Sequence, residues 1–209
     1  MGNEHWNVKS FKVPHLINKF AYKYVRKSKA RRSFEHSQIL IEKGILTPTP
    51  IGYVEYSEAI GLTNSYYISQ NLKYDFDFEA LIDHKNFPDR ENILNQFTEF
   101  TYKLHEKNIH YFDHNKGNTL ICKTDTGLYD FYLIDLNRMK FEKMTYEKRI
   151  DNFNRLSLTP DMMHIIGKKY ATLIGQPEEK VIQDIINSCA KFQEFRNRKK
   201  RWKSRFKIN

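Results

Sequence analysis

The sequence predicts an α+β fold of two unequal lobes, and two observations support this prediction. Short apolar runs typical of strands dominate the first 72 residues, where they flank one helical segment. After residue 89 the apolar residues recur mainly at helical spacing, with one pair of short strands inserted. We therefore expect a small N-terminal strand/helix lobe over residues 1–72 and a larger helical C-terminal lobe over residues 73–209.

The N-terminal lobe is predicted to begin with a strand and a helix. Residues 6–13 alternate between polar and apolar side chains, which favours a strand that ends at Pro14. Residues 16–43 contain no proline or glycine and carry apolar residues at helical spacing, so we expect a helix with a break near Ser28. Gly44 then stops the helix.

The remaining strands are predicted in two pairs. The first pair is Ile51–Tyr56 and Ser65–Gln70, with a turn around Gly61. The second pair is Thr119–Cys122 and Phe131–Ile134, and the polar turn over residues 123–127 between them ends in Gly127, which is typical of a hairpin.

The rest of the C-terminal lobe is predicted to be helix and loop. Residues 74–88 are irregular or hold one short helix, residues 108–118 form a polar loop, and everything after Asp135 has a helical period. Helix starts, each with a capping residue or an early proline, are expected at Asp89, at Thr159-Pro160 and at Pro177-Glu178.

Several protein classes are excluded by composition. Cys122 and Cys189 have no metal-ligand spacing around them, so neither a disulfide scaffold nor structural zinc is expected. No run of about 18 apolar residues occurs, and the first residues lack the basic start and apolar core of a secretory signal. We expect a cytoplasmic protein.

Charge is concentrated at the two ends of the chain. The net charge is +10 overall, +7 over residues 1–43, +8 over residues 191–209 and −5 between them. Such a distribution predicts an anionic partner that meets the ends: nucleic acid, an anionic membrane or a phosphorylated substrate.

Three oxygen-bearing side chains have the order that phosphoryl transfer requires. Asp113 and Asn118 lie in one polar loop, and Asp135 ends an apolar strand after the predicted hairpin. Phosphoryl transfer needs a carboxylate to orient the attacking hydroxyl, and an amide and a second carboxylate to hold Mg²⁺ against the phosphates. The alternative is that Asp113 and Asn118 only stabilise a loop and that Asp135 caps the following segment.

A cation for the phosphates is predicted in the first strand. Lys9 lies in the middle of that strand and Glu35 in the next helix, and a strand lysine held by a helix glutamate is how kinase-type folds contact nucleotide phosphates. Lys12 is the alternative lysine, and Glu42 is the alternative glutamate.

With these motifs the sequence resembles the lipopolysaccharide kinase family, the Kdo and core-heptose kinases, which have a protein-kinase-like fold. The resemblance rests on VKSFKVP, SKARRSFEHSQILIEKGILTPTPIGYVE, YYISQNL, LHEKNIHYFDHNKGNTLI, YLIDLNRMKF and NFNRLSL, which together cover most of residues 8–158.

The resemblance implies the transfer of phosphate from ATP to a sugar hydroxyl of a lipopolysaccharide core or a related glycolipid. By position, Asp113 matches the catalytic aspartate, Asn118 and Asp135 match the metal ligands, Lys9 matches the nucleotide lysine, and Glu35 matches the glutamate that steadies it. The implied cofactors are ATP and Mg²⁺, and residues 1–72 correspond to a truncated nucleotide-binding lobe.

The sequence also departs from the family pattern. Only eight residues precede Lys9, so the lobe is expected to lack a glycine-rich hairpin, either through truncation or because the protein works without it. Tyr111 stands where the family usually has a histidine, and Leu136-Asn137 replaces the usual Phe-Gly. The missing hairpin supports an alternative function, that of a pseudokinase or basic adaptor which binds anionic lipid or polymer without turnover.

The basic C-terminal segment, residues 191–209, interleaves four aromatic residues with its cations. At helical spacing Phe192, Phe195, Trp202 and Phe206 fall on one stripe, a pattern that suits an anionic membrane surface. The alternative is a terminal helix whose aromatic residues pack on the helical lobe. Nucleic acid is not the expected partner, because no recognition motif accompanies the charge.

Overall fold

The computed structural model describes residues 5–12, 27–58 and 61–206. Three antiparallel strands form the N-terminal sheet: β1 (Trp6–Lys12), β2 (Pro50–Glu58) and β3 (Gly61–Gln70), in the order β1-β3-β2. All three strands occur near the predicted positions, but β3 begins four residues earlier than expected, so that Gly61 starts the strand and does not lie in the turn. The expected stop at Pro14 and the expected helix over residues 16–26 lie outside the described residues.

One described helix, α1 (Lys29–Glu42), packs on this sheet. It begins directly after the predicted break, where the Ser28 hydroxyl accepts a hydrogen bond from the Arg31 amide at 2.9 Å. It ends two residues before Gly44, whose φ of +65° is a left-handed conformation that glycine adopts without strain because it has no Cβ. Its contact with the sheet is a small apolar cluster in which Phe11, Ala30 and Tyr67 are buried.

Two further small sheets lie in the C-terminal lobe. The predicted hairpin is present as β6 (Thr119–Lys123) and β7 (Tyr129–Leu133), and the two-residue strand β4 (Phe76–Asp77) pairs with β6. The second sheet pairs β5 (Ile109–Tyr111) with β8 (Met139–Phe141).

The β5–β8 pair corrects two predictions. The segment 108–118 was expected to be loop throughout, and the chain after Asp135 was expected to be helical. A strand of three residues is too short to produce a measurable period in the sequence, and its pairing depends on a partner 30 residues away.

Within its described residues, 73–206, the lobe also contains five helices: α2 (Phe78–Asp83), α3 (Arg90–Glu106), α4 (Tyr146–Asp151), α5 (Pro160–Ile174) and α6 (Glu178–Phe206). The starts of α3, α5 and α6 agree with the sequence, but the caps differ. Neither Asp89 nor Thr159 makes a side-chain capping bond. Asp89 instead accepts hydrogen bonds from Asn92 and from the Tyr129 hydroxyl. No described helix is long and apolar enough to cross a membrane.

The two lobes share a second apolar cluster, which positions the site described below. Leu40 near the end of α1 and Ile45 three residues after that helix pack with Tyr111, Leu133 and Leu136, all of them nearly inaccessible to solvent. Leu133 also donates its backbone N–H to the Leu46 carbonyl at 3.0 Å. The helix that carries Glu35 therefore ends against the segment that carries Asp135.

Candidate active site between β5, β7 and the N-terminal sheet

The loop after β5 is held by its own polar side chains. The Asn118 Nδ2 donates to the Asp113 carbonyl oxygen at 2.9 Å, and the Asn115 amide donates to the same oxygen at 2.7 Å. The Asn115 side-chain oxygen accepts from the Gly117 amide at 3.1 Å. These bonds close the five-residue spacing between Asp113 and Asn118 into a compact turn, so both residues lie at one place.

The hairpin then brings Asp135 to the same place. Asn118 stands just before β6 and Ile134 just after β7, and the Ile134 amide donates to the Asn118 carbonyl at 3.1 Å. Asp135 follows directly with a left-handed φ of +59°, a backbone conformation that an aspartate tolerates better than most residues. The structure thus brings Asn118 and Asp135 together, as the metal-site prediction requires.

The Asp135 carboxylate contacts one amide and one cation. Its Oδ1 accepts from Asn137 Nδ2 at 2.7 Å and lies 2.8 Å from Lys9 Nζ. The Lys9 and Asp135 side chains keep 40% and 31% of their accessible surface, so the pair is open to solvent. Lys9 therefore reaches the site from β1, on the opposite lobe.

The partner of Glu35 differs from the expected one. Glu35 accepts from Lys27 Nζ at 2.8 Å and from Arg31 Nε at 3.0 Å, whereas Lys9 pairs with Asp135. Arg31 lies one helical turn before Glu35 and is thus a close neighbour on the same face. Burial raises the pKa of Glu35, but the hydrogen bonds from Lys27 and Arg31 outweigh it and leave that pKa lowered.

The Glu35 helix nevertheless contacts the site through its next residue. The His36 Nδ1 lies 2.7 Å from the Leu136 carbonyl oxygen, one residue after Asp135. Burial lowers the pKa of His36, and the Leu136 carbonyl opposes that effect. The Thr47 hydroxyl donates to the Leu133 carbonyl at 2.8 Å, which fixes the other end of the same segment to the N-terminal lobe.

Asp113 is bordered by two arginines that sequence reasoning missed. Arg138 Nη1 lies 3.0 Å from Asp113 Oδ1, and Arg155 Nη1 lies 3.8 Å from the same oxygen. The Asp113 side chain is 15% exposed, so one largely buried carboxylate faces two partly exposed guanidinium groups. Both arginines lie in segments that resemble the lipopolysaccharide kinases, LIDLNR and NFNRLSL. Their position in these segments was the sequence signal that could have marked them as site residues.

In the sequence, Tyr111 stands out only because the family usually has a histidine at this position. In the structure its hydroxyl has a partner beside Asp135. Its hydroxyl donates to the Ile134 carbonyl, directly before Asp135, and its ring is fully buried. Burial raises the pKa of Tyr111 well above its ordinary value, and the charges of Asp135 and Asp113 act in the same direction. The neutral hydroxyl thus joins the strand before Asp113 to the turn that carries Asp135.

Below the loop lies a buried polar layer. Asn152 donates to the Tyr111 carbonyl at 2.8 Å and accepts from His105 Nε2, and His105 Nδ1 lies 2.6 Å from the Tyr170 hydroxyl. Burial lowers the pKa of His105 to about 3, with the Asn152 hydrogen bond acting in the opposite direction. The neighbouring His114 is fully buried, which lowers its pKa to about 4. Both imidazoles are therefore neutral supports of the loop.

The donor atoms of Asn118 and Asp135 fit a magnesium ion. With the Asn118 Nδ2 engaged by the Asp113 carbonyl, the side-chain oxygen is the end of the amide suited to a cation. One carboxylate and one amide oxygen match the preference of Mg²⁺ for oxygen ligands and few protein carboxylates. No cluster of three or more His, Cys, Asp or Glu side chains with metal-binding geometry occurs within residues 5–12, 27–58 and 61–206.

Two of the solved structures that match this chain are of WaaP and WbdD. The chain is similar to WaaP, in a structure described as WaaP in complex with acyl carrier protein, with a TM-score of 0.59, 16% identity, and coverage of 81% of this chain and 76% of the WaaP chain. A structure of WbdD with the kinase inhibitor LY294002 gives a TM-score of 0.49 at 12% identity, covering 90% of this chain and 42% of that one. The likeness to WaaP confirms the predicted α+β, protein-kinase-like fold.

Sequence comparison adds the family. No curated protein matches the chain significantly. The family described as lipopolysaccharide kinase (Kdo/WaaP) matches residues 3–175. This match spans most of the sequence and contains all five predicted site residues, and the chain therefore belongs to the lipopolysaccharide kinase (Kdo/WaaP) family.

Proposed function

We propose that this protein transfers the γ-phosphate of ATP, with Mg²⁺, to a sugar hydroxyl of a lipopolysaccharide core or a related glycolipid. Membership of a kinase family supports phosphotransfer as the reaction class. The observation that carries the proposal is the juxtaposition of Asn118 with Asp135, next to Asp113 and within reach of Lys9. These are the groups that phosphoryl transfer needs in one crevice.

Asp113 is the group proposed to act on the acceptor. Its carboxylate would orient the sugar hydroxyl and accept its proton as the oxygen attacks phosphorus. Arg138 and Arg155 partly balance the carboxylate charge and restrict its rotation. A fixed carboxylate contributes mainly by positioning, since the phosphoryl group passes through a loose transition state.

The nucleotide is proposed to lie between Lys9 and Asp135. Lys9 would contact its α- and β-phosphates, and Glu35 would steady the N-terminal lobe around that lysine after rearrangement from its contacts with Lys27 and Arg31. Asn118 and Asp135 would hold Mg²⁺, which when bound neutralises charge on the phosphate oxygens. Residues 1–72 would then serve as the nucleotide-binding lobe and residues 73–209 as the catalytic one.

The location follows from the proposed substrates. ATP is a cytoplasmic nucleotide and the proposed acceptor is anchored in lipid. We therefore propose that the protein works in the cytoplasm, at the inner face of the cytoplasmic membrane.

Thermal unfolding with and without Mg-ATP tests the proposal. A nucleotide at 100 times its dissociation constant should stabilise the protein by about 2.7 kcal/mol. We expect Asp135→Asn to abolish this stabilisation, because the ligand loses its metal contact. Asp113→Ala should retain the stabilisation but transfer no labelled phosphate to a lipopolysaccharide-core acceptor.

The matched control is Asp125→Asn, an exposed aspartate in the β6–β7 turn. It should behave as wild type in both measurements. Equal Mg-ATP stabilisation of wild type and Asp135→Asn would contradict the proposed site. A complete lack of stabilisation in wild type would favour the pseudokinase or adaptor function.

A further inference from the structure

The last helix, α6, begins as an ordinary packed helix. Val181 and Ile185 are fully buried in the core of the C-terminal lobe, and Ser188 is nearly so. Their spacing of four and three residues puts them on one face. Phe192 continues that face, half-buried under the guanidinium of Arg155, which lies 5.0 Å from the ring centroid.

Beyond Phe192 the helix leaves the lobe. Every residue from 193 to 204 is exposed, although the helix continues to Phe206. We call residues 193–204 the projecting segment. At 1.5 Å per residue its 12 residues extend about 18 Å past the last packed side chain.

The projecting segment keeps the apolar stripe of the packed part. Phe195 and Trp202 lie three and ten residues after Phe192, which places them on the face that is buried earlier in α6. These two residues are 57% and 63% exposed. Large aromatic side chains on a surface this open are typical of an interaction site.

Cations border the stripe on both sides. Residues 191–204 carry a net charge of +6, and all their basic residues are exposed: Lys191, Arg196, Arg198, Lys199, Lys200, Arg201 and Lys203. Glu194 is the one acid and pairs with Arg198 at 3.4 Å. Lys and Arg beside an aromatic stripe can keep their charges in a polar layer while the rings enter an apolar one.

We infer that the projecting segment lies along the surface of an anionic phospholipid bilayer, with Phe195 and Trp202 entering the acyl boundary and the flanking cations contacting lipid phosphates. Charge complementarity selects this occupant, since a second copy of the chain would bring two segments of high positive charge together. A polyanion such as nucleic acid would satisfy the cations but would offer no apolar layer for the exposed surfaces of Phe195 and Trp202. A bilayer satisfies both.

The same geometry links the surface to the candidate active site. Arg155 contacts Phe192 with one side of its guanidinium and Asp113 with a nitrogen, so the root of the projecting segment adjoins the catalytic loop. A segment held on a bilayer would bring the Asp113 crevice close to a lipid-anchored acceptor. This consequence rests on the proposed function, whereas the membrane contact itself does not.

Vesicle cosedimentation of the full chain tests the inference. We expect binding to vesicles of equal parts phosphatidylglycerol and phosphatidylcholine, weakened by added salt, and no binding to phosphatidylcholine alone. Lys199→Glu/Lys200→Glu/Lys203→Glu should lower the partition coefficient at least about 100-fold. The matched control Lys85→Glu/Lys143→Glu/Lys168→Glu changes net charge equally at exposed lysines elsewhere and should stay near wild type.

The aromatic residues separate a membrane from a generic polyanion. Phe195→Ser/Trp202→Ser should lose most vesicle binding, yet it should elute from a heparin column at the same salt concentration as wild type. In a Trp6→Phe background, the emission of Trp202 should shift to the blue when anionic vesicles are added. Vesicle binding by the aromatic variant at wild-type strength, equal loss in both lysine triples, or an unshifted emission would each overturn the inference.

The failure of kinase activity would leave this test intact. Asp113→Ala should bind vesicles as wild type does, because the measurement requires no turnover. An active enzyme that binds no anionic vesicle would refute the membrane contact and leave the proposed reaction standing.

Discussion

Lys9 Nζ and Asp135 Oδ1 lie 2.8 Å apart and connect the N-terminal sheet to the turn after β7. Each side chain is a predicted contact of the nucleotide or its metal, and in this structure the two contact each other. Both are partly exposed, and water screens their attraction. A bound nucleotide can therefore replace this contact at small cost, since the lysine would exchange a carboxylate for phosphate oxygens.

Lys9→Met should weaken the binding of Mg-ATP about 10- to 100-fold, the loss expected for one charged hydrogen bond. Lys12→Met is the matched control on the same strand. Strand alternation places Lys9 on the face of buried Phe11, whereas Lys12 is exposed on the other face. Isothermal titration calorimetry measures both affinities. A larger loss of affinity in the Lys12 variant would show that Lys12, and not Lys9, contacts the phosphates.

Tyr111→Phe should lower both stability and phosphate transfer. The variant leaves the part-buried Ile134 carbonyl without its hydroxyl donor, which costs about 1 kcal/mol. It also frees the turn that carries Asp135 from β5, so transfer should fall more than Mg-ATP affinity does. Urea denaturation and a labelled-phosphate assay give the two readouts.

The control for this prediction is Tyr132→Phe, at a half-buried tyrosine on β7. It removes the same atom and should change stability by less than half as much. An equal loss in both variants would show that the Tyr111 hydroxyl has no special structural role.

The sequence predicted the long elements and the order of the site residues, but not their partners. The helices α3 and α5 and the β6–β7 hairpin extend over enough residues for a period or a turn signal to be visible. The short β5 and β8 strands carry no such signal.

Side-chain partners depend on tertiary distances that spacing alone does not contain. The expected contact of Lys9 with Glu35 follows a family pattern, yet Arg31 and Lys27 lie nearer to Glu35 along the chain. Likewise Arg138 and Arg155 reach Asp113 only after β8 and the segment following α4 have folded against the loop.

Gly167→Ala should destabilise the protein by about 1–3 kcal/mol through overpacking between α5 and α6. An added Cβ would lie 2.6 Å from Ile182 Cγ1 and 3.1 Å from Ile182 Cα, so the backbone of α6 must move. Gly52→Ala is the control, because a Cβ there meets nothing within 4 Å. Thermal unfolding compares the two, and equal midpoints would contradict close packing of these helices.

Lowering the pH from 6.5 to 5 should destabilise the fold, at pH values above those at which most carboxyl groups titrate. Burial lowers the pKa of His105 to about 3 and of His114 to about 4, and it also lowers the pKa of His36. An unfolded histidine has a pKa near 6.5, so between pH 6.5 and 5 the unfolded chain binds protons that the folded chain does not. The free energy of unfolding therefore falls as pH falls through this window.

Each neutral buried histidine should contribute a slope approaching about 1.4 kcal/mol per pH unit. Urea denaturation at intervals between pH 7 and pH 5 measures the slope. His105→Gln should lower stability at pH 7, because it disturbs the contacts with Asn152 and Tyr170, yet it should flatten the pH dependence. His164→Gln, at an exposed position on α5, should leave the slope unchanged. If His105→Gln kept the wild-type slope, the proton uptake on unfolding would belong to other groups, and His105 would not be a neutral support of the loop after β5.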